Sequence, residues 1–93
     1  MTQRISLQAR LPDGRLFTVT GQLARALKAL VAAGSAGCTA LEVSSWAYRF
    51  GAYVHTLRHQ FGLVIETRHE PHDGGWHGRY VLHSAVLVEE GAP

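Results

Sequence analysis

The sequence contains a single cysteine, Cys38, among 93 residues. One thiol cannot close an internal disulfide, so a disulfide-stapled secreted fold is excluded and a reducing cytoplasm is the expected location. No apolar run reaches 18 residues, so no membrane-spanning helix is predicted, and no membrane partner is expected. The opening MTQRISLQAR lacks the hydrophobic segment of a signal peptide. Catalytic signatures are missing as well. There is no G-x-S-x-G, P-loop, G-x-G-x-x-G or CxxC, and a chain this short offers no cleft between two domains. Neither an enzyme nor a bound cofactor is expected. Charge is sparse, at 17% of residues and a net +2, where a strong DNA binder usually shows a larger basic excess.

With 46% apolar residues, the chain suits one folded domain with one modest core. Its charge is graded. Residues 1–35 carry Arg4, Arg10, Arg15, Arg25 and Lys28 against Asp13, a net +4. Residues 36–62 carry Arg49 and Arg58 against Glu42, a net +1. Residues 63–93 carry Arg68 and Arg79 against Glu66, Glu70, Asp73, Glu89 and Glu90, a net −3.

Residues 4–11 alternate, with Ile5, Leu7, Ala9 and Leu11 on one face. Pro12, Asp13 and Gly14 then form a turn, and residues 16–20 are rich in β-formers. An N-terminal β-hairpin over 1–20 is predicted. The clean alternation favours it over a basic arm laid on a phosphate backbone. Thr20 is placed to cap a helix over 21–33 whose buried stripe is Leu23, Leu27, Leu30 and Val31, with Gly34 at its end. Arg25 and Lys28 fall on its solvated face. After a connector, Thr39 and Glu42 form a capping box for a short second helix over about 40–47. Cys38 reads as a small buried apolar residue.

A third helix follows a turn at Tyr48 and Arg49 and spans about 50–61. Phe50, Val54, Leu57 and Phe61 form its inner stripe. At about 100° per residue, Arg49, Ala52, Thr56 and His59 face the other way, with His55 and Gln60 on the flanks. Small Gly51 and Ala52 permit close approach to a surface, and Gly62 ends the helix. A strand over 63–69, a loop over 70–78 and a strand over 79–83 complete a hairpin. Residues 84–88 extend as a further strand or pair with the N-terminal hairpin, and the tail from Glu89 frays. The domain plan is thus a hairpin over 1–20, a three-helix core over 21–62, a wing over 63–83 and a tail over 84–93.

The run Arg49, Phe50, Gly51, Ala52, Tyr53, Val54, His55, Thr56, Leu57, Arg58, then Gly62, Ile65 and Thr67, resembles the third helix and following strand of small bacterial and phage winged-helix (helix-turn-helix) proteins. Gly78, Arg79, Tyr80, Val81 and Leu82 look like their second wing strand. The resemblance covers residues 21–83. It implies an α+β winged helix that binds double-stranded DNA through the third helix, as a transcriptional or prophage-type regulator. It places Arg49, Ala52, Tyr53, Thr56 and His59 at the groove, with His55 beside them and Arg58 near a phosphate or in a supporting ion pair. Arg68 and Arg79, on the wing strands, join the expected DNA contacts. The chain departs from the pattern in its wing loop, which carries Glu70, His72, Asp73 and His77 where lysine or arginine would meet phosphate. The runner-up reading, favoured by the acidic C-terminal third, is a winged-helix protein-interaction module. A homodimer is expected to form by edge pairing of 84–88 or of the N-terminal hairpin.

His55 and His59, at i and i+4, have the spacing of two zinc ligands, but no glutamate follows His55 and a third ligand would have to come from the wing. Exposed polar histidines are the preferred reading and no metal is expected. Histidines ordinarily take up a proton near pH about 6.5. If several face DNA, affinity is higher at about pH 6 than at about pH 8, and equal affinity in a titration at the two values refutes it. Trp76, among glycines, either folds back as a cover or stacks on a ligand.

Overall fold

Leu7 and Ala9 are buried while Ser6, Gln8 and Arg10 are not, so the alternation read from the sequence becomes a strand with one wet face. The computed structural model describes residues 6–39, 49–72 and 74–90, apart from the side chains of His72, Trp76, His77 and Glu90. In chain order the elements are β1 (Ser6–Arg10), β2 (Leu16–Thr20), α1 (Gly21–Ala33), a 3-10 turn (Gly34–Ala36), β3 (Cys38–Thr39), α2 (Phe50–Gln60), β4 (Ile65–His72), β5 (Gly75–Leu82) and β6 (Leu87–Glu90). The chain is α+β, with two antiparallel sheets ordered β2-β1-β6 and β3-β5-β4.

The first sheet starts from the β1–β2 hairpin. Leu11 and Arg15 close its turn through an N–H donated by Leu11 at 2.9 Å, and Gly14 supplies the positive φ of 91°. Ala9 faces Phe17 on β2 and Val88 on β6. Glu89 and Glu90, expected to fray, are in β6 and pair with Gln8 and Leu7. Val88 continues the inward row of β1, which holds this stretch in the sheet.

Helix α1 lies between the sheets, touching β1 and β2 on one side and β3 and β5 on the other, and it packs on α2. Its buried residues are Ala24, Ala26, Leu27 and Leu30, while Leu23 and Val31 are half-buried. The buried stripe is therefore rotated toward the alanines, because a helix with strands on both sides needs small residues where backbones approach. Thr20 occupies the N-cap position, but its side chain makes no cap hydrogen bond. Gly34 donates its N–H to Leu30 at the other end.

The connector after α1 contains β3, where the sequence predicts no strand. Cys38 and Thr39 pair with Tyr80 and Arg79 of β5, and both are buried. Thr39 is thus a strand residue; the short helix it was expected to cap, with Glu42, lies outside the described residues. Between Ile65 and Leu82 the second hairpin is longer and tighter than a loop over 70–78 would give. Its ladder runs out to Pro71 opposite Trp76 and His72 opposite Gly75. Gly74 and Gly75, at φ 89° and 155°, make the sharp reversal possible. Pro71 is tolerated because β4 is an edge strand and need not donate outward.

Candidate nucleic-acid interface

Helix α2 has two unlike faces. Phe50, Val54 and Leu57 are buried, and Phe50 meets Tyr80 of β5 edge-on at 5.4 Å between ring centroids. Phe61, just past the helix, stacks on Phe17 at 4.7 Å. The helix ends at Gln60, with Gly62 following at φ 70°. On the opposite face Arg49, Ala52, His55, His59 and Gln60 are exposed. Thr56 is half-buried and donates its hydroxyl to the Ala52 carbonyl at 3.1 Å. Tyr53 is half-buried against the core, so its ring is shared between the helix face and the interior. The rings of His55 and His59 are tilted 40° to each other with centroids 4.2 Å apart. Among the described residues no third histidine, cysteine or carboxylate joins them as a metal site.

The arginines divide by the work they do inside the protein. Arg58 donates to the Ile65 carbonyl and, at 3.2 Å, to the Thr67 hydroxyl. It ties α2 to the base of β4, through neutral acceptors and not through an ion pair. Arg79 pairs with Glu70 at 2.8 Å and donates to the Gly37 carbonyl at 3.2 Å, so it clips the hairpin to the connector after α1. Arg68, directly opposite Arg79 in the ladder, pairs with Glu66 at 3.2 Å and remains exposed. Arg49 is different: its side chain is exposed at the start of α2, and among the described residues it forms no ion pair. The first turn of α2 carries no acid, so the positive end of the helix dipole adds to this cation. Of the nine residues expected at DNA, the structure gathers Arg49, Ala52, His55, Thr56 and His59 on one face. Arg58 and Arg79 brace the fold, Arg68 lies on the hairpin, and Tyr53 sits at the boundary.

Glu66 is held below its ordinary glutamate range, first by its hydrogen bond with His83 at 2.7 Å and then by that with Arg68. A carboxyl with a depressed folded-state pKa stabilises the fold above its unfolded value, and loses that contribution as pH falls through the folded value. Glu66→Gln is therefore expected to flatten the acid limb of a urea-midpoint-against-pH curve. An unchanged acid limb refutes this role.

Sequence spacing does not show the Gly37 partner of Arg79, which lies on a distant element. Arg79 and Gly37 are 42 positions apart, and no spacing rule reaches that far. Residues 16–92 match the family described as a winged helix domain. Comparison with curated proteins and with solved structures found no match.

Proposed function

The chain belongs to the winged helix domain family, and on that premise we propose that it binds double-stranded DNA, with α2 in the major groove and the β4–β5 hairpin against the flanking backbone. The observation that carries the reading is the face of α2 from Arg49 to His59. It is exposed, free of acids and cationic at its N-terminal end, while the opposite face is anchored in the core. Small Ala52 and Gly51 let the backbone approach the groove, and Arg49 reaches a phosphate or a guanine edge. The biological role that fits is a small transcriptional regulator of the phage or prophage type. Because Arg58 and Arg79 are spent internally, few cations remain to neutralise phosphate. The log–log salt dependence of binding should then have a slope of only about −2.

The test is an NMR titration with random duplex DNA at low and moderate salt. Shifts centred on α2 that fade with salt are expected, together with a loss of about tenfold or more in affinity for Arg49→Ala combined with Thr56→Ala. Unchanged binding by that folded double variant refutes the face. The wing cations Arg68 and Arg79, each paired with a glutamate, favour the second reading, a protein-interaction module. No shifts at low salt would select it.

A further inference from the structure

The sheet β2-β1-β6 has an outer face that the DNA reading does not use. Leu16 is 54% and Leu87 71% exposed there. Both are register partners of Arg10, so Leu16, Arg10 and Leu87 form one row across the three strands. The next row reads Thr18, Gln8 and Glu89. Among the described residues, β6 has no strand on its far side. It carries no lysine, proline or bulge of the kind that keeps an edge single, and its charged residues are Glu89 and Glu90. Arg10 and Glu89 are both exposed, and among the described residues neither forms an ion pair.

We propose that β6 pairs antiparallel with β6 of a second copy, making a continuous six-stranded sheet about a two-fold axis. Opposed residues in an antiparallel ladder point to the same face, so outward Leu87 and Glu89 must meet outward residues of the second copy. An axis at Leu87 also satisfies this but sets Val88 and Glu89 against residues that precede β6, so two registers within the strand remain, one with Val88 on Val88 and one with Glu89 on Glu89. The second sets two carboxylates against each other at the axis and is unfavourable. The first sets Leu87 opposite Glu89 of the second copy. The outer row then reads Leu16, Arg10, Leu87, and then Glu89, Gln8 and Thr18 of the second copy. Arg10 and the second copy's Glu89 are two strand spacings apart, roughly 10 Å between Cα atoms, with only Leu87 between them. Their long side chains meet over it and cover its exposed surface. The symmetry makes this pair twice. The other edge offers nothing comparable: Leu16–Thr20 is uncharged, and pairing there leaves Leu87 in water.

This assembly does not depend on DNA binding, and its test contains no DNA. Analytical ultracentrifugation of the full chain from about 10 µM to about 1 mM is expected to show a reversible dimer. Glu89→Arg sets like charges at both symmetric positions and should raise the dissociation constant about tenfold or more. Arg10→Glu combined with Glu89→Arg should restore it, and Leu16→Lys, on the same face but away from the edge, should leave it unchanged. Circular dichroism establishes that each variant is folded, and Glu89→Gln, with no new charge, should fall between wild type and Glu89→Arg. A monomer throughout the range overturns the proposal. So does a dimer indifferent to Glu89→Arg, a charge swap that does not restore it, or a dimer that Leu16→Lys disrupts more strongly.

Discussion

Gly37→Ala is expected to lower the stability of this protein by about 3 kcal/mol or more, a fall of roughly 15 °C in Tm for a domain of this size. Two causes add. Gly37 has φ 71° and ψ 176°, a region essentially reserved for glycine. A Cβ there would also stand 2.7 Å from the Tyr80 carbonyl oxygen and 2.8 Å from a Val81 methyl. The oxygen belongs to the β5 backbone and cannot swing aside like a side chain. Relief requires moving β3 away from β5, which breaks the Cys38–Tyr80 pairing and pulls the Gly37 carbonyl from Arg79. Gly34→Ala is the control. Its φ of 57° and ψ of −142° also lie where L side chains rarely go, but there is open space around the added carbon, so only the backbone strain remains, roughly 1–3 kcal/mol. Thermal melts of the two variants side by side check this; equal losses would refute the steric argument.

Phe50→Ala should cost roughly 3–5 kcal/mol, comparable to the total stability of many domains of this size. Phe50 is fully buried, begins α2 and meets Tyr80 of β5 edge-on. Its removal leaves a cavity where the helix is joined to the hairpin. Because Arg49 and Ala52 flank this anchor, the exposed face of α2 should lose its fixed position even where the rest remains folded. Phe50→Leu, which keeps most of the volume, should cost less than half as much. Denaturant unfolding of both variants decides the point, and a Phe50→Ala loss below about 1 kcal/mol would show that the junction does not rest on this ring.

The parts legible in the sequence were those whose information is local. The stripe of Phe50, Val54 and Leu57 repeats at helical spacing, so the sequence alone assigns the faces of α2. Alternation about Leu7 and Ala9 marked β1 in the same way. β3 escaped because two residues, Cys38 and Thr39, are too short to show a period, and their strand character comes from Tyr80 and Arg79 on another element. The tight reversal at Gly74 was hidden because Glu70, Pro71 and Gly78 resemble a loop by composition but lie in the β4–β5 ladder. The arginines show the limit most clearly. Arg49, Arg58 and Arg79 count equally toward charge, yet two of them are committed to carbonyl and carboxylate partners that only the fold brings near.

The pairing of β1 with β6 sets the order in which this protein can assemble. Leu7 faces Glu90, 83 positions along the chain. Closing so long a loop carries an entropic cost that grows with its length, and no local contact offsets it in advance. The β1–β2 hairpin, α1 and the β4–β5 hairpin can each form from neighbouring residues. The first sheet, by contrast, is finished only when β6 has been synthesised and has found β1. Refolding should therefore pass through a slow final step in which amides of β6 gain hydrogen-exchange protection after those of β4 and β5.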